Sequence, residues 1–420
     1  MNQFKKVFTK ILAVLIVVSQ ILGFSTNVSA QDVELSFWNG FTASDGEILQ
    51  RIVNEFNESN EKGINISMEV MTWANFNEKL PPSIVANSAP DFVLMNYSDF
   101  SSYVSNGTMQ PMDDFFEYEG VNKDDFVETS LELTQLDGTQ YFIPMQIQGM
   151  YLYWNKDLFE AAGLDPDTPP KTWDELVEFG IQLTDESKNQ FGFALPYDGY
   201  QPFSNWLLAN GGSIANEDYT ESTFASDGTL ETLQEIQTLI SENKGGPATI
   251  SGAEADNLLN SGQLAMYING PWLNNGLKAN EINYGVTGVP QGTTDGEPQA
   301  ILDGVGFGIP VSTPEDKKEA IFEFVKYWNT TEIGKTWSLE NGFPPYLQSV
   351  AEDEEVLADP IVSELYKQIE YATPFMPTST TLPAINGDVI RPLLENVMSG
   401  SDVQTEMDNA DASIQMLLQN

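Results

Sequence analysis

The sequence predicts an α/β protein made of two lobes, and three observations support this prediction. Strand-like and helix-like hydrophobic periods alternate along the chain, which is typical of helices packed on a sheet with parallel strands. The 420-residue length favours two domains or one large one, and the hydrophobic fraction of 41% is sufficient for their cores. No low-complexity linker or short repeat divides the chain, so we expect each lobe to be assembled from discontinuous segments.

The first part of the pattern predicts three strands separated by two helices. The strands are the alternating runs 33–37 and 64–70 and the continuous apolar run 92–95. A capping box that begins at Ser44 starts the first helix. The second helix, over residues 76–85, is expected to be interrupted at Pro81-Pro82, because proline lacks the amide hydrogen that an α-helix requires.

The same criteria predict the later elements. Thr172 is expected to cap a helix that reaches Leu183, and Thr313-Pro314 to start another that reaches Trp328. The remaining predicted elements are a helix over residues 230–240, a strand over residues 264–268 and a helix over residues 389–398 that ends at Gly400. The alternation therefore continues to the end of the chain.

The first 30 residues have the pattern of a secretory signal peptide. Lys5, Lys6 and Lys10 precede an apolar run, and Val28-Ser29-Ala30 provides small residues for cleavage before Gln31. The alternative is a retained membrane anchor, but the apolar run is short for a segment that spans a bilayer. Cleavage would remove three lysines and no acids, which takes the formal charge from −44 to −47. Because the chain has no Cys for lipidation, we expect a soluble secreted protein, periplasmic or extracellular.

The composition excludes several classes of function. The chain has no His and no Cys, which removes Ser-His-Asp and Cys-His nucleophiles, CxxC redox pairs and the ordinary zinc, haem and iron–sulfur sites. The 62 acidic residues against 18 Lys and Arg make nucleic acid and anionic membranes unfavourable partners. Gly304, Gly306 and Gly308 lack the spacing of a dinucleotide loop, and residues 165–170 lack the EF-hand pattern. We therefore expect no cofactor and no metal.

Three tryptophans lie at the ends of predicted strands. Trp38 and Trp73 follow the first two strands, and Trp272 follows the strand at residues 264–268. In parallel α/β sheets, ligands bind outside the carboxyl ends of the strands. Aromatic rings at these ends suit the apolar faces of sugar rings, and nearby amides suit sugar hydroxyls, here those of Asn39, Asn96 and Gln148. One isolated Trp would favour a core role, whereas three together favour a sugar site; turn formation is an equal alternative for the Asn residues.

Seven short segments occur in a definite order along the chain. They are Phe37-Trp38-Asn39-Gly40-Phe41, Ala89-Pro90-Asp91-Phe92-Val93, and residues 107–113, 153–159, 172–176, 265–272 and 342–345. Residues 265–272, AMYINGPW, are the most specific of these segments. In this order they resemble the family 1 extracellular solute-binding proteins of ABC sugar importers, which include maltose-binding-protein-like members. The likeness covers essentially the whole mature chain.

The resemblance implies a two-lobed periplasmic-binding-protein fold with a hinge. It divides the chain into a signal peptide (1–30), an N-terminal lobe (31–143 and 303–345) and a C-terminal lobe (144–302 and 346–420). The ligand-binding residues that it implies are Trp38, Asn39, Trp73, Asn96, Gln148, Tyr200, Phe203, Trp206, Trp272, Asp303 and Gly304. The implied function is to capture a mono- or oligosaccharide between the lobes and deliver it to ABC permease membrane subunits, as a monomer without enzymatic activity.

Two other functions stay open on the sequence alone. The 62 acidic residues offer many carboxylate pairs, and a secreted glycoside hydrolase needs one such pair across a cleft. The acidic field would also attract a cationic solute such as a polyamine. Residues 383–387 lack the Trp that maltose-type binders commonly carry, which weakens any expectation of maltodextrin stacking there. We interpret the acidity itself as a halophilic adaptation to high salt, which screens self-repulsion.

Overall fold

The computed structural model describes residues 33–419, apart from residues 43, 199, 293–298 and 377. The predicted signal peptide, residues 1–30, lies outside the described residues. The described strands are β1 (Val33–Asn39), β2 (Ile64–Val70), β3 (Phe92–Asn96), β4 (Gln135–Leu136), β5 (Thr139–Gln140), β6 (Phe142–Gln148), β7 (Tyr151–Asn155), β8 (Phe191–Ala194), β9 (Leu264–Asn269), β10 (Tyr284–Gly288), β11 (Ala300–Gly308) and β12 (Ala372–Pro374).

Helices separate most of these strands. The described α-helices are α1 (Ser44–Ser59), α2 (Trp73–Val85), α3 (Tyr97–Ser105), α4 (Glu128–Glu132), α5 (Lys156–Ala162), α6 (Trp173–Gln182), α7 (Tyr200–Ala209), α8 (Asp227–Ile236), α9 (Gly252–Asn260), α10 (Leu273–Ala279), α11 (Lys318–Trp328), α12 (Thr331–Asn341), α13 (Gln348–Ala351), α14 (Glu354–Ala358), α15 (Pro360–Ile369), α16 (Leu382–Ala384), α17 (Arg391–Met398) and α18 (Val403–Leu418). Short 3-10 helices cover Asp113–Glu117, Lys123–Asp125, Glu186–Lys188 and Glu315–Lys317, and π-helical turns cover Gln237–Glu242 and Ile385–Ile390. Over the described part of the chain, none of the helices combines the length and apolarity that crossing a bilayer requires.

Two main sheets organise the described residues, as the α/β prediction requires. The first has the order β12-β11-β3-β1-β2, with β6 also paired to β11, and the second has the order β10-β7-β9-β8. The sheets are only partly parallel: β1 runs parallel to β2 and β3, whereas β11 runs antiparallel to β3 and β6. β11 joins the first sheet after the chain has passed through the second sheet.

Both faces of the first sheet are buried. Phe37 of β1 stacks on Phe92 of β3, with ring centroids 4.3 Å apart, and α11 covers that face with Phe324. The neighbouring residue Trp38 points to the opposite face, since successive strand residues alternate, and packs in a cluster with Phe76 of α2. A strand buried on both faces explains why residues 92–95 are continuously apolar.

The predicted helix starts are confirmed at two positions, and one predicted interruption is wrong. The Thr172 side chain accepts a hydrogen bond from the Glu175 amide and caps α6. After Thr313-Pro314, a 3-10 turn leads directly into α11. However, α2 continues through Pro81-Pro82 without a break. Both prolines are exposed, so water can solvate the carbonyl groups that lose their helical partners there.

The chain passes from the first sheet to the second near one of the predicted lobe boundaries. β6 stays in the first sheet as far as Gln148, which is opposite Asp303 of β11, and β7 starts the second sheet at Tyr151. The first passage is therefore at residues 149–150, a few residues after the predicted boundary at 143/144. β12, from the segment expected in the C-terminal lobe, pairs with the first residues of β11. Both sheets are thus built from discontinuous parts of the chain.

Candidate functional site

A cavity of about 600 Å³ lies between the two sheets, where the chain passes from one to the other. Six of the predicted ligand-binding residues line it, namely Trp73, Asn96, Gln148, Tyr200, Trp272 and Asp303. Its volume is in the range of small-molecule sites, which occur preferentially between domains. A larger surface depression of about 730 Å³ lies elsewhere, around Phe322, and contains none of the predicted residues.

The two cavity tryptophans come from different sheets, and each lies against a glycine. Trp73 begins α2 after the second strand of the first sheet, and a Cβ atom added to Gly40 would be 2.1 Å from its ring. Trp272 follows β9 of the second sheet, and a Cβ atom on Gly270 would be 2.0 Å from its ring. Both indoles are partly exposed. The glycines therefore let each ring lie flat against the backbone with an aromatic surface left for a ligand.

Amide groups form a connected chain on the first-sheet wall. Trp337 Nε1 donates to Gln146 Oε1 at 3.1 Å, and Gln146 Nε2 donates to Gln148 Oε1 at 2.7 Å. Both glutamines line the cavity and are buried by at least 95%. This chain fixes the orientation of Gln148, whose Nε2 is then a positioned donor for a ligand hydroxyl.

Asp303 is the most buried carboxyl group of the cavity wall. Its Oδ2 accepts a hydrogen bond from Gln201 Nε2 at 2.5 Å, and its Oδ1 accepts one from the Gly304 amide at 2.8 Å. Burial raises the pKa of Asp303 to about 7, although these hydrogen bonds act in the opposite direction. Burial also raises the pKa of Asp99, which accepts a hydrogen bond from Asn77 Nδ2 at 3.3 Å.

The cavity wall is acidic. Its carboxylates are Asp45, Asp99, Asp198 and Asp303, and none of the described residues that line it is Lys or Arg. A negatively charged ligand would therefore meet repulsion without a compensating ion pair. The described residues also contain no group of three or more acidic side chains that could hold a metal ion.

Five predicted ligand-binding residues do not line this cavity. Trp38 and Asn39 lie in β1 and are buried, because β1 is an interior strand of the first sheet. Trp206 stacks on Trp173 with centroids 4.3 Å apart, and Phe203 is fully buried on the same helix, α7. Gly304 packs against the ring of Tyr97. We leave these five residues out of the candidate site, since none of them is among the residues that line the cavity.

Several wall residues were missed by the sequence reasoning. They are Gly40, Phe41, Thr42, Asp45, Asn77, Ser98, Asp99, Gln146, Asp198, Gln201, Val305 and Phe343. Some of them belong to segments that carry the family resemblance: Gly40 and Phe41 lie in residues 37–41, and Phe343 lies in residues 342–345. The three missed acids, Asp45, Asp99 and Asp198, had no signal of their own, because they do not stand out among 62 acidic residues.

Comparisons with known proteins identify the family of this chain and its fold. The family described as bacterial extracellular solute-binding protein matches residues 42–335. The sn-glycerol-3-phosphate-binding periplasmic protein of Brucella abortus is 25% identical over 96% of this chain and 97% of its own length. The same-named protein of Yersinia enterocolitica is 25% identical over 79% of this chain and 77% of its own length.

Solved structures share the fold. A solute-binding protein of Thermotoga lettingae bound with α-D-tagatose matches with a TM-score of 0.83 at 23% identity, over 92% of this chain and 100% of that one. A substrate-binding protein of Listeria monocytogenes in complex with cycloalternan matches with a TM-score of 0.81 at 24% identity, over 92% and 99%. The predicted family, the two-lobed fold and the solute-binding function are confirmed. The chain therefore belongs to the bacterial extracellular solute-binding protein family.

Proposed function

We propose that this protein binds an uncharged mono- or oligosaccharide between its lobes and delivers it to the membrane subunits of an ABC importer. The observation that carries the proposal is the pair of partly exposed tryptophans, Trp73 and Trp272, which approach one cavity from different sheets. Indole faces pack on the apolar faces of sugar rings, and the surrounding amides and carboxylates can bind hydroxyl groups. Structural relatives were solved with tagatose, cycloalternan and maltose.

The charge of the wall favours a neutral ligand over a phosphate ester. Relatives named for sn-glycerol-3-phosphate bind an anion, whereas the cavity here carries four aspartates and no described Lys or Arg. A phosphate group in this partly desolvated cavity would lie near these aspartates without a cationic side chain to compensate its charge. Carboxylates instead accept hydrogen bonds from ligand hydroxyls without a countercharge on the ligand.

A cationic solute, such as a polyamine, is the second candidate. The four aspartates favour it directly, since opposite charges attract strongly where water is partly excluded. The aromatic rings do not distinguish the two ligands, because indole also binds cations through its face. Asp198 distinguishes the two ligands, because it is exposed on the C-terminal lobe, which we call the second lobe, the N-terminal lobe being the first. Its charge would contribute to the binding of a cation and little to the binding of a neutral sugar.

The glycoside hydrolase alternative is weaker. Asp99 and Asp303 are the carboxyl groups of the cavity with a raised pKa, as a general acid requires. Both oxygens of Asp303, however, already accept hydrogen bonds from Gln201 and the Gly304 amide. A proton donor or nucleophile must instead reach the scissile bond. We therefore propose a binding protein without enzymatic activity, in line with its family.

The lobe division remains that of the sequence analysis, with an N-terminal lobe of residues 31–143 and 303–345. The pairing of β1, β2, β3 and β11 in one sheet supports this division, whereas residues 144–148 of β6 and the strand β12 pair in that same sheet although the division assigns them to the C-terminal lobe. A sugar that contacts both lobes would favour the closed arrangement, and this differential contact drives hinge closure. We also propose cleavage of residues 1–30, a monomeric, soluble extracytoplasmic product and a halophilic surface. The family name agrees with an extracytoplasmic site of action.

A ligand screen tests this function. Thermal-shift measurements over neutral sugars, sugar phosphates and polyamines would be followed by calorimetry of the hits and chromatography of the recovered ligand. We expect a neutral sugar to bind with a sub-millimolar Kd, with one site and no chemical change. Binding of polyamines alone, with a Kd a few-fold higher in Asp198→Asn, would instead support the second candidate. Recovery of a shortened sugar would support the hydrolase.

A further inference from the structure

The first turn of α10 connects the part of the cavity wall that contains Trp272 with the first lobe. α10 starts immediately after Trp272 and packs on the second lobe through the buried Leu273 and Leu277. Asn274 and Asn275, which directly follow Leu273, form hydrogen bonds with residues of the first lobe. Neither is among the residues that line the cavity.

Asn275 makes two hydrogen bonds across this boundary. Its Nδ2 donates to Ser44 Oγ at 3.3 Å and to Asn341 Oδ1 at 3.0 Å. One amide nitrogen carries two hydrogens, so both bonds can form together. Asn341 is 1% exposed, and loss of the donor would leave its Oδ1 buried without that partner.

Asn274 adds a second connection. Its Nδ2 donates to the Gly342 carbonyl at 3.4 Å, and its Oδ1 accepts from the Tyr284 hydroxyl of the second lobe at 3.3 Å. Asn274 is fully buried, and a Cβ on Gly342 would be 2.4 Å from its Nδ2. This side chain is therefore fixed by both lobes at once.

The partners of these two asparagines adjoin the other cavity walls. Ser44 precedes Asp45, and Asn341 and Gly342 precede Phe343, and both Asp45 and Phe343 line the cavity. The contact thus fixes the distance between the Trp272 ring and two parts of the first-lobe wall. A sugar ring that stacks on Trp272 while it reaches the first lobe depends on this distance, since a shift of about 1 Å can weaken oriented contacts substantially.

We infer that Asn274 and Asn275 are positioning residues for ligand binding, which hold Trp272 at its working distance from the first lobe. This inference rests on the proposed function. Asn275→Ala is the main variant, because Asn275 is only partly buried and its loss leaves the core of the second lobe intact. Asn280→Ala is the matched control: Asn280 lies just after the same helix, and its side-chain amide donates within that helix to the Gly276 carbonyl, at 2.8 Å.

Binding kinetics give the first readout. We expect Asn275→Ala to raise the Kd for the sugar about three- to tenfold, the effect of one or two hydrogen bonds, mainly through faster dissociation. Asn280→Ala should bind as the wild type does. The double variant Asn275→Ala/Ser44→Ala should lose less binding free energy than the sum of the losses in the two single variants, because the two side chains share one hydrogen bond. Wild-type Kd and dissociation rate in Asn275→Ala would overturn the inference.

A ligand-free readout separates this inference from the proposed function. The fluorescence of Trp272 is obtained as the difference between the spectra of a protein with and without Trp272→Phe. Quenching of this component by acrylamide reports how exposed the Trp272 ring is. We expect Asn275→Ala to make this component more accessible, and Asn280→Ala to leave it unchanged. If the wild type binds no sugar but this difference is present, the proposed function fails and the positioning role stands. An unchanged quenching component in Asn275→Ala would contradict the positioning role whether or not sugar binds.

Discussion

Trp272 lies so close to Gly270 that a Cβ atom on the glycine would be 2.0 Å from ring atom Cζ3. Gly270 follows Asn269, whose Oδ1 accepts a hydrogen bond from the Gly270 amide at 2.9 Å. The turn is therefore held by a local hydrogen bond while the indole folds back over it. Trp73 and Gly40 repeat the same close contact on the first lobe. The N-G-P-W segment is explained by this packing, which presents the ring to the cavity.

Gly270→Ala is expected to weaken ligand binding by displacing the Trp272 ring. No real Cβ is tolerated at 2.0 Å, so the indole must move. We expect the Kd to rise about tenfold or more, with a small change in the melting temperature, because Trp272 is partly exposed. Calorimetric titration measures this. The control is Gly387→Ala, where the added Cβ would meet no atom of the described residues within 4 Å apart from the neighbouring backbone of its own helical turn. Equal affinity of the two variants would contradict the role of Gly270.

Trp272→Ala is expected to cost about 1–3 kcal/mol of binding free energy, the contribution of a large aromatic contact. Trp272→Phe keeps an aromatic face and should lose less. Trp206→Phe provides the contrast: Trp206 stacks on Trp173 in the core, so we expect lower stability and unchanged affinity. Titration and thermal unfolding of the three variants test this, and a weaker affinity in Trp206→Phe would return that residue to the site.

The stability of the second lobe is expected to depend on the ionisation of Glu235. Burial raises the pKa of Glu235 from 4.5 to about 7, although Trp206 Nε1 and Asn210 Nδ2 both donate to its Oε2 at 2.7 Å. Between these values the folded protein binds more protons than the unfolded chain. The contribution of this group to the free energy of unfolding is therefore largest below about pH 4.5 and falls as the pH rises to about 7.

Glu235→Gln tests this dependence. We expect the variant to lose less stability than the wild type between about pH 5 and 8, because the amide does not ionise. Asp303 would contribute in the same direction in both proteins, since its pKa is also raised to about 7. Urea unfolding at each pH gives the comparison. Parallel pH profiles for the two proteins would refute the assignment to Glu235.

Asp91→Ala is expected to destabilise the first lobe. Asp91 Oδ2 accepts from the Ser36 amide at 2.8 Å and from its hydroxyl at 2.9 Å, and Lys317 Nζ lies within 2.9 Å of both carboxylate oxygens. The group connects β1, the start of β3 and the start of α11, and it is 9% exposed. We expect a loss of about 3 kcal/mol, since three donors lose a charged acceptor.

Asp167→Ala is the control for that prediction. Asp167 forms an ion pair with Lys156 at 2.6 Å, but its side chain is 78% exposed. Exposed ion pairs contribute at most about 1 kcal/mol, so its replacement should change the unfolding midpoint in urea only slightly. Equal destabilisation by the two substitutions would mean that Asp91 has no special structural role.

Salt is expected to stabilise the protein. The 62 acidic residues against 18 basic ones produce self-repulsion in the folded state, and salt screens it. We expect the melting temperature to rise between dilute buffer and about 1 M potassium chloride, most steeply at low concentration, where the Debye length changes most. Scanning calorimetry measures this. A melting temperature that is constant or falls with salt would contradict the halophilic interpretation.

The sequence alone determined the alternation of strands and helices, the N-terminal secretory pattern and the family resemblance. These features depend on local periodicity, capping residues and short ordered motifs. Thr172 and residues 264–268 are examples, since the cap and the strand were both found where they were predicted. Trp272 was likewise identified from its position after a strand, and it lines the cavity.

Only the tertiary structure decided which residues meet at the cavity. Trp38 and Trp73 have the same character in the sequence, but strand alternation buries Trp38 behind the first sheet, while the start of α2 exposes Trp73. Asp99, Gln201 and Asp303 are more than 100 positions apart from one another in the sequence. The return of β11 to the first sheet brings them together at the cavity. The resemblance had already implied Asp303 as a binding residue, but burial by distant segments raises its pKa, and no local pattern reveals that burial.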